Sequence, residues 1–312
     1  MAVPPWSPAK SSAGVPRPAP PEPFVGPPRP ASRLVRLAHL IRLRSQTGTW
    51  LLALPSLWSL GLASHGRPEL ELVFLFLAGA FIMRSAGVVL NDLADRHVDG
   101  FVARTKLRPL AAGTLTVRDA WIAVLVLLGV ALLLLSRLPP LTWWLSPFAV
   151  ALAAAYPYAK RFISLPQAVL GIAFGWAVVM AWAAARQRLE WPVWLLFGST
   201  VCWAIAYDTI YALQDRMDDQ KIGIKSSALL FGEGAWLAIL VFEAAMLGLL
   251  ALAGWGEQIG PTFYAVLVCV GIGMSIQTWQ VRKPIEPTLA FRYFHQHVWF
   301  GLAILGGILA GF

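Results

Sequence analysis

Three features of the sequence predict an all-α polytopic membrane protein, built as a bundle of about nine transmembrane helices. Of its 312 residues, 58% are hydrophobic and 13% are charged, and the mean hydropathy is +0.64. Such a composition lies well outside the range of an ordinary soluble domain. Nine apolar stretches reach or approach the roughly 20 residues that a helix needs to cross a bilayer core. Basic residues, finally, are divided unequally between alternate loops.

The first 32 residues differ in composition from the rest of the chain. They contain 11 of the 23 prolines and no apolar run long enough for a signal peptide. Proline-rich chain of this kind favours an extended conformation over packed helices. We therefore expect a disordered tail over residues 1–32 and a single transmembrane domain over residues 33–312.

A basic, leucine-rich segment leads into the first span. Arg33, Arg36, His39 and Arg42 recur at every third position among leucines. This pattern predicts a basic helix that lies at the cytoplasmic membrane surface. The alternative is an ordinary solvated helix end.

The predicted spans lie near residues 47–65, 70–91, 118–137, 141–159, 165–186, 191–212, 233–254, 260–281 and 292–312. The loops that follow the even-numbered spans, with their flanks, carry thirteen Lys and Arg residues, whereas the opposite loops carry four. Because basic loops are retained in the cytoplasm, this asymmetry predicts a cytoplasmic N-terminus and an external C-terminus. The expected location is a bacterial inner membrane or its equivalent.

Aspartates are concentrated at the cytoplasmic ends of two predicted spans. Of eight in the chain, three lie within 91–99 and four within 208–219. Residues four or seven apart share one face of a helix. If the helices continue through both clusters, two polar stripes result, formed by Asn91, Asp95 and Asp99 and by Asp208, Asp215 and Asp219.

Two facing carboxylate stripes predict a bound cation, because like charges repel one another and are costly near lipid. Oxygen ligands without Cys or His spacing favour Mg²⁺ over zinc or iron. Basic residues accompany both clusters, namely Arg96, Arg104, Arg108, Arg216, Lys221 and Lys225. Acids that hold a metal beside bases that neutralise oxyanions indicate a Mg²⁺-bound phosphate or diphosphate. The alternative is a set of surface salt bridges among residues that obey the positive-inside rule.

Three long segments resemble one family. "NDLADRHVDG" from Asn91, followed by "RTKLRPLAAG", is similar to the first aspartate-rich motif of the UbiA superfamily of intramembrane prenyltransferases. "YALQDRMDDQKIGIKSSALLFG", which ends at Gly232, is similar to the second motif. With "YPYAKRFISLPQAVLGIAFGW" at 156–176, the chain most resembles the 4-hydroxybenzoate polyprenyltransferases of ubiquinone biosynthesis.

The resemblance implies Mg²⁺-dependent transfer of a polyprenyl chain from polyprenyl diphosphate to 4-hydroxybenzoate, at the ring carbon ortho to its hydroxyl. The expected partners are these two substrates and membrane lipid, with no nucleic acid. Asp95, Asp99, Asp215 and Asp219 would be catalytic and, with Asn91, would hold the metal. Candidate diphosphate-binding residues are Arg104, Arg108, Lys221 and Lys225. Arg161, with Arg42 as second choice, would bind the aromatic acid.

Two further roles follow from the residue types. Asp208, a metal-bound water or a diphosphate oxygen could remove the ring proton. Aromatic faces stabilise cations, and the candidates near the expected site are Tyr156, Tyr158, Tyr207 and Tyr211.

Several alternatives stay open at this point. The segment "RLRSQTGT" from Arg42 departs from the family's common "RLDKPIGT", since Arg44 and Gln46 replace an acidic residue and a proline. This departure bears on how the first span begins and on the preference for the aromatic acceptor. Homogentisate or dihydroxynaphthoate could replace 4-hydroxybenzoate. A cation-coupled transporter is the alternative from another class, although it predicts ionisable residues near mid-membrane. Arg84, inside the second span, could line a cavity or tie helices together.

Overall fold

The computed structural model describes residues 32–101, 105–216 and 225–312, apart from the side chains of residues 101, 160 and 161. All regular structure among these residues is helical. Short 3₁₀ turns lie at Asp99–Phe101 and Gly232–Gly234. The helices are α1 (Arg33–Leu40), α2 (Thr47–Ala63), α3 (Leu70–Asp95), α4 (Val117–Leu135), α5 (Pro140–Phe162), α6 (Pro166–Arg186), α7 (Trp191–Ala212), α8 (Ser227–Phe231), α9 (Ala235–Gly256), α10 (Pro261–Val281) and α11 (Pro287–Ala310).

The all-helical fold class is confirmed. The nine longest helices within the described ranges begin and end within five residues of the nine predicted spans. Six segments are long and apolar enough to cross a membrane by length and composition: α3, α4, α6, α7, the run from α8 through α9, and α10. Helices α2, α5 and α11 complete the nine. The predicted tail lies outside the described residues except for Ser32, so the division of the chain at residue 32 stays a prediction.

Local sequence signals set the helix starts. Five helices carry proline in their first turn, where its missing N–H costs no hydrogen bond; these prolines are Pro140, Pro166, Pro192, Pro261 and Pro287. Helix α4 instead begins with a reciprocal cap between Thr116 and Asp119, in which each side chain bonds to the other residue's backbone N–H. These signals explain why the short breaks in hydropathy are real helix boundaries.

Helix α7 packs between α6 and α9, and glycines allow the close approach of α6. A Cβ added at Gly171 would lie 2.9 Å from the Val201 Cα, and one added at Gly175 would lie 2.8 Å from the Phe197 ring. Small residues of this kind let membrane helices approach closely. The buried indole of Trp203 continues the core toward α2 by contacting the ring of Trp58.

Ionic contacts tie four helices together at the end of the bundle predicted to face outward. The Arg186 guanidinium donates to the Ala63 carbonyl at 2.8 Å and to the Glu190 carboxylate at 2.9 Å. It also binds Glu257. The hydrogen bond from Arg186 holds the pKa of Glu190 below its ordinary value, which keeps the carboxylate ionised. We call Arg186, Glu190 and Glu257 the outer ionic cluster.

The basic helix α1 folds back onto the start of α4. Leu40 is buried beside Val89 and Leu93 of α3. Arg36 donates to the Thr114 carbonyl at 2.9 Å. Just after α1, Arg42 adopts the left-handed backbone conformation with φ +56°, which is uncommon for residues other than glycine. This turn directs the Arg42 side chain into the bundle.

Candidate active site

A cavity of about 970 Å³ lies between α2, α3, α4, α5, α6, α7 and α11. Its polar end lies where α3 and α7 end, and is lined by Arg42, Asn91, Asp92, Arg108, Asp208 and Gln214. Its apolar branch extends past Leu75 and Phe76 near the beginning of α3 and reaches Leu138 beyond the end of α4. One cavity therefore joins a charged site to a long hydrocarbon-lined space.

The apolar branch is open to the side between α4 and α5. Each of these helices packs against α3, but they barely contact one another. Leu132 of α4 and Val150 of α5 line the cavity, although 65% and 46% of their surfaces remain exposed. An apolar chain could therefore pass between α4 and α5 directly from lipid.

The first aspartate cluster is only partly helical. The Asn91 side-chain amide donates to the Asp95 carboxylate at 3.1 Å, as expected for residues one turn apart. Helix α3 ends at Asp95, however, and Asp99 belongs to the following 3₁₀ turn. The prediction of one continuous stripe through Asp99 is therefore wrong. The chain turns after Asp95, and Asp99 rejoins the cluster through Arg108, whose Nη1 lies 2.9 Å from its carboxylate.

Asp92 is a site residue of this motif that was not predicted from the sequence. Helical spacing alone would turn Asp92 away from the face shared by Asn91 and Asp95. Instead it lines the cavity, is 1% exposed, and binds two arginines. Arg42 Nη2 lies 2.9 and 2.8 Å from the two Asp92 oxygens, and Arg108 Nη1 lies 3.1 Å from one of them. The buried Asp92 is thus the shared counterion of Arg42 and Arg108, two of the predicted site cations.

The second cluster lies opposite the first but is described only in part. Helix α7 ends at Ala212, so Asp208 is helical and lines the cavity, whereas Asp215 lies in the turn that follows. The predicted stripe through Asp208 and Asp215 is therefore also interrupted. The Tyr156 phenol lines the cavity and lies near enough to Asp208 and Asp95 for both charges to act on it. The two motifs thus meet at one place in the bundle.

Only some of the predicted basic residues line the cavity. Arg108 and Arg42 line the cavity, and Lys225 donates to the Phe162 carbonyl at the end of α5, at 3.0 Å. Arg161 lies on α5 beside that carbonyl, but its side chain is outside the described structure. Three predicted site residues fall in the segments that the structure does not describe: Arg104, Asp219 and Lys221.

Aromatic rings form one wall of the cavity. Of the four predicted tyrosines, Tyr156, Tyr207 and Tyr211 line it, whereas Tyr158 is half-exposed and does not. Helix α11 adds Phe291 and Phe294 to this wall, two residues that were not predicted from the sequence. The Phe294 ring centroid lies 4.7 Å from that of Tyr211 and 6.3 Å from that of Phe291, so these rings continue the wall.

The donor atoms at the polar end suit a hard cation such as Mg²⁺. Asn91, Asp95 and Asp99 offer amide and carboxylate oxygens, the ligands that Mg²⁺ prefers. Within the described parts of the chain, no three His, Cys, Asp or Glu side chains converge as a complete metal site. The predicted set also needs Asp219, which lies outside those parts. The described residues therefore fit one half of a magnesium site.

Fold and cavity together define an integral membrane protein of helical-bundle type that holds a charged site at the end of an apolar chamber. The chain belongs to the UbiA prenyltransferase family, whose sequence pattern matches residues 52–301.

Relatives from two bacteria are similar over nearly their whole length. The 4-hydroxybenzoate octaprenyltransferase of Pseudomonas aeruginosa is 46% identical over 276 residues, which is 88% of this chain and 92% of the relative. That of Tolumonas auensis is 46% identical over 271 residues, covering 87% and 94% of the two chains.

Solved structures share the fold. A UbiA homologue from Aeropyrum pernix superposes with a TM-score of 0.71 at 26% identity, covering 84% of this chain and 97% of its own. A homologue from Archaeoglobus fulgidus, bound to GPP and Mg²⁺, gives 0.62 at 18% identity and covers 87% and 99%. The last similarity concerns the fold alone.

Proposed function

We propose that this protein transfers a polyprenyl chain from polyprenyl diphosphate to 4-hydroxybenzoate, at the ring carbon ortho to the hydroxyl, in ubiquinone biosynthesis. The observation that carries the proposal is the cavity that joins the Asn91 and Asp92 end of α3 to an apolar branch reaching Leu138. A donor with an ionic head and a long hydrocarbon tail needs both environments in one continuous space. The names of the bacterial relatives supply the acceptor.

The donor's diphosphate belongs at the polar end. Arg108 lines the cavity there, and the proposed diphosphate set also includes Arg104, Lys221 and Lys225. We assign Asn91, Asp95, Asp99, Asp215 and Asp219 as the residues that would hold Mg²⁺. When bound, the metal supplies positive charge that stabilises the diphosphate as a leaving group. The amide and carboxylate oxygens of Asn91, Asp95 and Asp99 support a hard cation at this site.

Bond cleavage would leave the allylic carbon as a cation, with the electron pair departing on the diphosphate oxygen. Three tyrosines line the cavity and can present ring faces to this charge: Tyr156, Tyr207 and Tyr211. Each well-placed face stabilises a cation by roughly 0.5–2 kcal/mol. The apolar branch also keeps water from the allylic carbon, which would otherwise be captured as the free alcohol.

The acceptor ring then forms the new carbon–carbon bond through the position ortho to its hydroxyl. Loss of the proton from that carbon restores aromaticity, so a base must lie nearby. Asp208 lines the cavity and can receive the proton, and an oxygen of the departing diphosphate is the alternative base. Either route ends with 3-polyprenyl-4-hydroxybenzoate, diphosphate and one proton.

The predicted acceptor-binding residues differ in their availability. Arg42 is already engaged, since Nη2 binds Asp92 and Nη1 donates to the His39 carbonyl at 2.9 Å. Its role is therefore better assigned to holding the site together than to binding an acceptor. Arg161, near the end of α5, stays a candidate for binding the acceptor.

We also propose that the polar end faces the cytoplasm. The support is the charge asymmetry of the loops, because the ends of α3 and α7 adjoin the loops rich in Lys and Arg. This arrangement would take 4-hydroxybenzoate from the cytoplasm and the prenyl donor from the bilayer.

An acceptor screen tests the proposal. Proteoliposomes that contain the protein, Mg²⁺ and a polyprenyl diphosphate should convert 4-hydroxybenzoate to its 3-polyprenyl product. Product from homogentisate or dihydroxynaphthoate alone would overturn the acceptor assignment and leave the prenyl transfer. Cation-dependent solute uptake with no transfer to any aromatic acceptor would overturn the enzymatic assignment.

A further inference from the structure

His297 of α11 is a fully buried histidine that lies behind the aromatic wall of the cavity. A polar ring in such a place costs free energy unless its nitrogens are hydrogen-bonded. Both nitrogens have partners: Nδ1 lies 3.0 Å from Trp203 Nε1 of α7, and Nε2 lies 3.0 Å from Gln277 Oε1 of α10. One side chain therefore joins three helices through directed hydrogen bonds, which an apolar side chain of the same size could not make.

The partners of His297 determine which of its ring nitrogens carries the proton. The Trp203 indole N–H can only donate, so Nδ1 accepts this bond and is unprotonated. The ring proton is on Nε2, which donates it to the Gln277 amide oxygen. Gln277 Nε2 donates in turn to the Tyr293 carbonyl at 3.2 Å and to Gln296 Oε1 at 2.8 Å, so the amide oxygen stays turned toward His297. The histidine is thus neutral and fixed in one tautomer.

The Trp203 ring is held from several sides. Its N–H is bound by His297, and its ring centroid lies 4.8 Å from that of Trp58 on α2. The Trp58 indole donates to the Gly301 carbonyl of α11 at 2.9 Å. A Cβ added at Gly301 would lie 2.9 Å from Trp203 Cη2, so α11 also approaches the far edge of the ring. These contacts leave Trp203 one orientation.

Tyr207 lies one helical turn after Trp203 and packs edge-on against it, with ring centroids 5.3 Å apart and planes at 87°. The rings of His297 and Phe294 contact Tyr207 from α11, at centroid distances of 5.9 and 5.8 Å. Tyr207 lines the cavity, whereas Trp203 and His297 lie behind it. The hydrogen-bonded pair therefore supports a ring that faces the substrates.

The Tyr207 hydroxyl does not fix the orientation of this ring. Its Oη is buried and forms no hydrogen bond with the residues that the structure describes. The orientation depends instead on the rings packed behind Tyr207. Orientation matters for a cation, because an aromatic ring attracts positive charge over its face and repels it at its edge.

We propose that His297 is a positioning residue for prenyl transfer: by fixing Trp203, it holds the Tyr207 ring with its face toward the allylic cation. This inference rests on the proposed function and adds to it a residue that touches neither substrate. An interaction made only with the cation stabilises the transition state and not the bound substrates, so it changes kcat and leaves KM unchanged. A correctly placed ring also keeps water from the cation.

The free prenyl alcohol gives the test a readout that loss of stability alone would not move. Water that captures the cation forms a C–O bond and releases one proton, which yields polyprenol instead of the prenylated acid. The assay uses proteoliposomes with Mg²⁺, a polyprenyl diphosphate and 4-hydroxybenzoate. It measures kcat, both KM values and the fraction of consumed donor that appears as polyprenol.

Two substitutions at His297 separate its two hydrogen bonds. An asparagine oxygen takes the place of Nδ1 and can still accept from Trp203, whereas a glutamine amide reaches the place of Nε2 and keeps the bond to Gln277 instead. His297→Gln should lower kcat by about 2- to 30-fold, the range for one ring face on a cation, and raise the polyprenol fraction. His297→Asn should stay near the wild-type values, and both KM values should be unchanged in both variants.

Trp203→Phe removes the same hydrogen bond from the other side. It should reproduce the defect of His297→Gln, and the double variant should be no worse than either single one, because the two residues act through one contact. This variant also keeps the test decisive if His297→Gln does not fold.

Thr278→Val is the matched control for loss of a buried hydrogen bond. Thr278 follows Gln277 in the chain, but its hydroxyl donates to Glu243 of α9 at 2.8 Å and does not reach the cavity wall. Thr278→Val should lower the Tm and leave the polyprenol fraction unchanged.

Contrary outcomes separate this inference from the proposed function. A wild-type polyprenol fraction and kcat in folded His297→Gln or Trp203→Phe would overturn the inference. Equal defects in His297→Asn and His297→Gln would also overturn it, since the bond to Trp203 would then not be the one that matters. Either result leaves wild-type transfer to 4-hydroxybenzoate intact. A wild-type protein that prenylates no aromatic acceptor would overturn the proposed function itself.

Discussion

The Asp92 carboxylate receives Arg42 on both of its oxygens, at 2.9 and 2.8 Å, although the two residues are fifty positions apart in the chain. The contact joins the turn after α1 to the end of α3. Arg42 reaches Asp92 from a left-handed backbone conformation that this contact helps to maintain. Because Arg108 binds the same carboxylate, one buried acid fixes two cations of the polar end.

Replacement of Asp92 by Asn should therefore harm both stability and donor binding. Loss of the charge leaves two arginines with a weakened counterion, and breaking a buried ion pair costs about 3–5 kcal/mol. We expect a lower Tm and a KM for the prenyl diphosphate raised by about tenfold or more, measured in detergent and in proteoliposomes. Glu71→Gln is the control, because its pair with Arg137 is exposed and worth less than about 1 kcal/mol. Equal effects of the two substitutions would contradict the part assigned to Asp92.

Replacement of Asp95 or Asp215 by Ala should abolish turnover in correctly inserted protein. Each removes a carboxylate from the proposed magnesium set, and loss of this electrostatic stabilisation should reduce kcat by more than about 100-fold. Product formation at saturating Mg²⁺ measures the effect. Elution of the membrane-extracted variant as a single species in size-exclusion chromatography shows that it was inserted and folded. Near-normal activity in either variant would refute the metal assignment for that residue.

Filling the apolar branch should restrict the protein to donors with shorter prenyl chains. Gly79 of α3 lines the cavity, and a Cβ added there meets nothing within 4 Å. Gly79→Phe should lower the rate with a long polyprenyl diphosphate by about tenfold or more, because displaced tail methylenes lose burial worth about 0.8 kcal/mol each. The rate with geranyl diphosphate should change little.

A matched control lies on the neighbouring helix. Gly129 of α4 also has open space around an added Cβ, but it is exposed and does not line the cavity. Gly129→Phe should therefore leave the ratio of long-chain to short-chain rates unchanged. If Gly79→Phe also leaves that ratio unchanged, the apolar branch does not hold the tail.

Disrupting the outer ionic cluster should affect stability without affecting substrate binding. Arg186→Met removes charged hydrogen bonds to Glu190 and Glu257 and should reduce the free energy of unfolding by roughly 1–3 kcal/mol. Thermal unfolding measures the loss, while both KM values should remain normal because the cluster lies at the end of the bundle away from Asn91. A changed KM with an unchanged Tm would show that the cluster acts on the site instead.

The features that could be predicted from the sequence are those that local periodicity determines. Helix positions follow from apolar run length and from proline at helix starts, and the Asn91 to Asp95 contact follows from helical spacing. The Arg42 to Asp92 pair could not be predicted in this way, because it depends on a left-handed turn and on packing between distant segments. The same holds for Phe291 and Phe294, whose approach to Tyr211 depends on how α11 packs beside α7. Spacing alone also placed Asp99 on the helix, since it does not show that α3 ends at Asp95.

The opening between α4 and α5 determines how the enzyme would meet its donor. If the prenyl chain enters past Leu132 and Val150, the donor arrives by two-dimensional diffusion within the bilayer and never crosses bulk water. The relevant donor concentration is then a mole fraction in the lipid. Added empty lipid would dilute the donor and slow the reaction at constant total donor, whereas the water-soluble acceptor would keep its ordinary molar concentration.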